Sequence, residues 1–87
     1  MNLFFVKTTI YPNPAEDRFF IQFAEPLKIS QVEVFAQIGQ RVRLVLNPKT
    51  TQGKTEIQTK ALENGGYVVK IHTTDGRLAV KKLTVNR

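Results

Sequence analysis

Cysteine and tryptophan are absent from this 87-residue chain, and histidine occurs once, as His72. Without thiols there is no disulfide framework, no thiolate metal site and no cysteine nucleophile. A lone imidazole leaves most metal and acid–base schemes short of ligands and proton carriers. Long apolar runs are missing too. The longest, Leu3-Phe4-Phe5-Val6, falls far short of a membrane span or a signal-peptide core, so no membrane insertion is expected. No Asn-x-Ser/Thr sequon is present. Acidic groups are scarce: 7 Asp and Glu face 13 Lys and Arg, a net charge of +6, which invites an acidic partner such as nucleic acid or anionic lipid headgroups without naming one.

What the chain does contain is strand periodicity. Its length allows one small domain over residues 1–87, and 41% hydrophobic with 23% charged residues is ordinary for a chain that folds. Met1 followed by strand-like sequence fits either a whole small protein or a piece excised from a larger one, and residues 1–8 leave room for linker or appended residues. Segments of alternating apolar and polar residues are separated by Pro, Gly and Asn, and helical stripes are absent. The first strand is expected over Leu3 to Ile10, ended by Tyr11-Pro12-Asn13-Pro14, where two prolines remove ladder donors. From Arg18, Phe19, Ile21 and Phe23 share one face until Glu25-Pro26. Ile29 to Gln37 places Val32, Val34 and Ala36 together, with Ile38-Gly39-Gln40 as a tight connection. The return strand, Arg41 to Leu46, sets Val42, Leu44 and Leu46 against Arg41, Arg43 and Val45, one apolar face and one with two guanidinium groups. Thr55 to Thr59 offers a weak strand with Ile57 inward, after a polar stretch from Lys49 to Lys54. Gly65-Gly66 permits positive φ just before Tyr67 to Thr73, and Asp75-Gly76 predicts a type I′ hairpin into Leu78 to Val85. In that last strand the apolar parity shifts between Val80 and Leu83, which predicts a bulge at Lys81-Lys82. Seven such strands imply an all-β, antiparallel, immunoglobulin-like Greek-key sandwich, with a small barrel as the runner-up.

Catalytic signals are thin. Glu16-Asp17 read as a solvated loop or cap, Glu25, Glu33, Glu56, Glu63 and Asp75 are scattered, and His72 is expected to face solvent. Gly65-Gly66 leads into a strand rather than a helix N-terminus, so a phosphate loop is rejected. Arg41, Arg43, Lys70, Arg77, Lys81 and Lys82 beside phenylalanines resemble the raw materials of a single-strand nucleic-acid groove. Core patterning of the aromatics weighs against it, so no nucleic acid is expected, while a basic nucleic-acid or glycan module stays as an alternative.

The order of the punctuation is the more specific signal. Tyr11-Pro12-Asn13-Pro14, then Gly39 with Val42, then Leu62, Gly65, Gly66 and Tyr67, then Gly76 through Lys82, Leu83 and Val85 together resemble the C-terminal sorting domain of type IX secretion cargo in Gram-negative bacteria, from Thr9 to Arg87. The resemblance implies a seven-stranded immunoglobulin-like domain that follows an N-terminal cargo in cis and catalyses nothing, with no metal and no cofactor. Its partners would be the type IX translocon, shuttle and sortase-like components. The last of these usually removes the domain once the cargo has passed from the periplasm to the cell surface or medium. A related alternative makes it the ligand of a periplasmic sensor. Pro12, Pro14, the glycines and Tyr67 have a purely architectural reading beside a recognition one, and Lys81, Lys82 and Arg87 divide between solvated charges and receptor contacts. An exposed strand edge would also allow a homodimer by strand pairing.

Overall fold

The computed structural model describes residues 7–87, and all regular structure in them is strand. The strands are β1 (Thr8–Tyr11), β2 (Arg18–Phe23), β3 (Ile29–Ala36), β4 (Arg41–Leu46), β5 (Thr50–Thr51), β6 (Lys54–Gln58), β7 (Gly65–Thr73) and β8 (Leu78–Val85). They form two four-stranded sheets, ordered β1-β2-β6-β5 and β4-β3-β7-β8, with every neighbouring pair antiparallel. Inward residues alternate as the pattern predicts. Phe19 and Ile21 of β2 and Ile57 of β6 meet Val32 and Val34 of β3, Val69 and Ile71 of β7, and Leu83 and Val85 of β8 in one buried cluster. Phe19 is fully buried there, and truncating such a ring costs about 3–5 kcal/mol, a large share of the stability of any small domain.

Several expectations need correction. The described residues form eight strands rather than seven, because the polar stretch contains β5, a two-residue strand that pairs with β6. The turn between them carries positive φ at both Gln52 (53°) and Gly53 (77°), the signature of a type I′ hairpin. Asp75-Gly76 is not that turn. Only Gly76 has positive φ (88°), its N–H donates to Thr73 O at 3.2 Å, and Thr73 N–H donates to Arg77 O at 2.9 Å. This is a three-residue loop with glycine in the left-handed position. The β3–β4 hairpin repeats it, with Gly39 (φ 91°) donating to Ala36 O at 2.8 Å and Ala36 N–H to Gln40 O at 2.8 Å. Asp75 stays out of the left-handed region while its carboxylate accepts bonds from Thr73 Oγ1 and from the Arg77 side chain.

No bulge interrupts β8. Its pairing with β7 runs without a shift from His72↔Leu78 to Gly65↔Val85. Leu78 and Val80 simply lie on the outer face, exposed, while Lys81 takes the side of the strand that carries Leu83 and Val85. The irregularities in this sheet lie instead along β3, one between Ile29 and Gln31 in its pairing with β7 and the other between Val34 and Phe35 in its pairing with β4, opposite Arg41 to Arg43. The second separates the two guanidinium groups of β4. Arg43 stays opposite Val34 on the core side, whereas Arg41 reaches the outer face and donates to Glu33 Oε2 at 3.2 Å. The apolar row of Val42, Leu44 and Leu46 is the solvent-facing one. The first strand begins at Thr8 within the described residues and continues to Tyr11; positions 3–6 of its expected span lie outside them.

The registers fix where the loops go. Tyr11 of β1, Arg18 of β2, Gln58 of β6, Gly65 of β7, Val85 of β8 and the β3–β4 turn all lie at one end. The β2–β3, β5–β6 and β7–β8 connections lie at the other.

Candidate functional site

The first of these ends is where most of the motif residues meet. After Tyr11 the chain leaves β1 through two cis X-Pro bonds, Tyr11-Pro12 and Asn13-Pro14, and runs along the outer edge of β8. Prolines donate nothing to a ladder, so the pairing is carried by the residues between and after them. Asn13 donates from Nδ2 to Lys82 O at 3.0 Å and accepts from Thr84 N–H at Oδ1 at 2.9 Å, so one carboxamide does the work of a strand residue. Ala15, fully buried, makes a parallel bridge to Val85: its N–H donates to Thr84 O at 2.7 Å and Asn86 N–H donates to its carbonyl at 2.8 Å. The lower half of β8 is thereby stitched to the β1–β2 connection, which joins the two sheets.

Arg87 extends the stitch. Its guanidinium donates to Glu16 O at 3.2 Å, to Thr59 O at 2.9 Å and to Leu62 O, and its N–H donates to Asn64 Oδ1 at 3.0 Å. One cation thus gathers carbonyls from the β1–β2 and β6–β7 connections, an arrangement suited to a planar multi-donor fork. Thr59, fully buried, completes the junction by donating from Oγ1 to Glu16 O at 2.8 Å. Tyr67 opens the core part of β7, and its hydroxyl donates to Glu63 O at 2.5 Å, closing the corner that leads in from β6. Leu62 is buried beneath this corner. A Cβ on Gly66 would come within 2.5 Å of the Gln37 side chain from the β3–β4 turn, so that turn closes over Gly66, whereas Gly65 faces open space.

Tyr11, Pro12, Asn13, Pro14, Gly39, Val42, Leu62, Gly65, Gly66, Tyr67, Leu83, Val85 and Arg87 are therefore brought to one end. Gly76 lies at the opposite end, and Lys81 and Lys82 sit in the middle of β8. Sequence reasoning missed Ala15, Thr59 and Asn64. An alanine after Pro14 and an isolated threonine carry no signal of their own, because their partners are far away along the chain.

The other charged groups are mostly engaged on the surface. On the outer face of the second sheet, Glu33 Oε1 lies 2.7 Å from His72 Nε2 while its other oxygen takes Arg41. The bond to His72 is the main cause that holds the Glu33 carboxyl below its ordinary range; burial opposes it, and the Arg41 hydrogen bond, weaker than that opposition, adds to the lowering. Lys70 Nζ lies 4.9 Å from the centroid of the Phe35 ring. At the far end Arg77 bridges Glu25 at 2.9 Å and Asp75 at 2.7 Å, and the Asp75 carboxyl is held at about 2, chiefly by Arg77 and then by Thr73. The six cations considered for a nucleic-acid groove are thus split between both faces of the second sheet and its far turn. Among the described residues no three His, Asp or Glu side chains gather as a metal site. A shallow pocket between the β2–β3 loop and β5–β6 carries Glu25 and Lys28 as its titratable groups.

A comparison with curated proteins finds no match for the chain. The family described as the secretion system C-terminal sorting domain matches residues 9–86, a span from β1 to the residue after β8 that includes Asn13, Ala15 and all of β8 and stops one residue short of Arg87. With that coverage, the chain belongs to the family of C-terminal sorting domains of type IX secretion.

Proposed function

We propose that the folded domain is itself the address: a non-catalytic signal whose constant shape is read by the type IX translocon and its shuttle, so that an N-terminal cargo crosses from the periplasm to the surface or medium. A sortase-like peptidase at the surface then removes it. The observation that carries this reading is the family match over residues 9–86, which coincides with a unit whose two sheets enclose a single core. A label attached to many cargoes must fold without them and present the same surface each time. The hydrogen bonds of Asn13, Ala15 and Arg87 serve that need by fixing β8 to the rest of the domain. On this proposal Tyr11 to Pro14, Gly39, Val42, Leu62, Gly65 to Tyr67, Gly76, Lys81 to Leu83, Val85 and Arg87 act in recognition, several of them by holding the surface in place.

We also assign the connectivity to the immunoglobulin-like class. The order β1-β2-β6-β5 over β4-β3-β7-β8 corresponds to A-B-E-D over C′-C-F-G, and the Tyr67 hydroxyl bonded back to Glu63 O resembles the tyrosine corner at the start of strand F. The test of function is a fluorescent protein directed to the periplasm of a type IX-competent strain and fused to this domain with and without Lys81 to Arg87. The complete fusion is expected outside the cell and the shortened one in the periplasm. Retention of both would sink the proposal, and export of both would remove β8 from it.

A further inference from the structure

Sheet edges invite foreign strands, and three of the four edges here are blunted. β5 is two residues long, β1 runs directly into Pro12, and half of β8 is covered by Asn13 and Ala15. β4 is blunted only in its first half, by the bulge at Val42 and the core-facing Arg43; from Leu44 to Leu46 it pairs regularly and its outer edge is uncovered. It is six residues long, ends its sheet and pairs only with β3. Asn47 N–H donates to Ser30 O, and antiparallel alternation from that bond turns the backbone groups of Leu44 and Leu46 toward the open edge. No backbone partner reaches them among the described residues. The outer side chains of the same strand are Val42, Leu44 and Leu46, 41%, 39% and 62% exposed, and Ile38 in the adjoining turn is 85% exposed. On the core side, Arg43 has a buried Nε with no hydrogen-bond partner among the described residues.

We infer that the β4 edge accepts an extended segment of a partner protein that carries apolar side chains opposite Val42, Leu44 and Leu46 and a carboxylate opposite Arg43. Main-chain bonds to Leu44 and Leu46 would supply the affinity, and the two faces the selectivity. The carboxylate would face the partly exposed Arg43 side chain, and the net charge of +6 favours an acidic segment over a basic one. A second copy is disfavoured on the same grounds, since it would bring another +6 and another Arg43 to the seam. This site shares Val42 with the sorting proposal but does not depend on it, and its test needs no secretion.

The test uses the 87-residue chain, isotopically labelled, and an acetylated peptide Thr-Val-Glu-Val-Thr-Val-Thr followed by amide NMR. At peptide concentrations up to about 1 mM, the amides of Leu44 and Leu46 should shift and exchange at least about tenfold more slowly, and a peptide with Lys for Glu should bind about tenfold more weakly. Arg43→Gln should erase that difference. Leu44→Pro removes an outward N–H that the described fold does not use, so it should leave the thermal midpoint nearly unchanged and abolish binding. If Leu44→Pro fails to fold, the Arg43→Gln comparison still decides. Shifts centred on the open half of β8, equal binding of the Lys peptide, no shift on β4, or a dimer formed through β4 without peptide would each overturn the inference.

Discussion

Replacing Asn13 with alanine removes both bonds by which one side chain holds the outer edge of β8, the 3.0 Å donation to Lys82 O and the 2.9 Å acceptance from Thr84 N–H. Each such bond is worth about 0.5–1.5 kcal/mol net. Both lie at the surface, where water can replace the lost partner, so the loss falls toward the lower half of that range, about 1–2 kcal/mol together. For a domain of this size that lowers the thermal midpoint by about 4–16 °C. Circular dichroism on the purified chain reads the shift, and hydrogen exchange locates it. The Thr84 amide should lose protection, while that of Val69, in the centre of the sheet, should follow global stability alone. Asn13→Asp keeps the acceptor and loses the donor, so it should fall between wild type and Asn13→Ala. A midpoint unchanged to within about 2 °C, well under the shift expected for 1 kcal/mol, with Thr84 still protected, would refute the claim that this carboxamide acts as a strand residue.

The Asp75 carboxyl is held at about 2 by Arg77 and Thr73, below its ordinary value, so its contribution to stability is complete above about pH 4 and is lost as pH falls through about 2. Urea midpoints of wild type and Asp75→Asn, taken across that range, should differ at pH 5 and converge near pH 2, with Glu33 adding a dependence of the same sign in both proteins. Gly76→Ala meets nothing within 4 Å of the new Cβ, so its whole cost is the left-handed backbone at φ 88°, about 1–2 kcal/mol by urea unfolding. Arg87→Ala should cost about 2 kcal/mol through the carbonyls of Glu16, Thr59 and Leu62, and Arg87→Lys should recover less than half of it, because an ammonium does not span the three as a fork does.

Sequence pattern revealed the elements whose reasons are local. Phe19 and Ile21, Val32 and Val34, and Val69 and Ile71 alternate at the strand period and are buried, and Gly39 and Gly76 sit in the turns where they were expected. The turn type at Gly76 was hidden because the side-chain bonds of Thr73 and Arg77 to Asp75 arise only once the hairpin has formed. β5 was hidden because two polar threonines have no period. The exposure of Leu78, Val80 and the β4 apolar row ran against the rule that apolar side chains point inward, and it drew a bulge into β8 where none exists. At the stitched end, Pro12 and Pro14 advertised a turn, but Asn13 meets Lys82 across 69 residues and Arg87 meets Glu16 across 71. Pairings that distant leave no trace in local periodicity.

The most direct measurement is the extracellular fraction of a periplasm-directed fluorescent protein fused to residues 1–87, compared between a type IX-competent strain and one lacking the translocon. Fluorescence is expected at the surface or in the medium of the first strain alone, with all of it retained in the second. Equal retention in both strains, or equal release from both, would contradict the proposed sorting role.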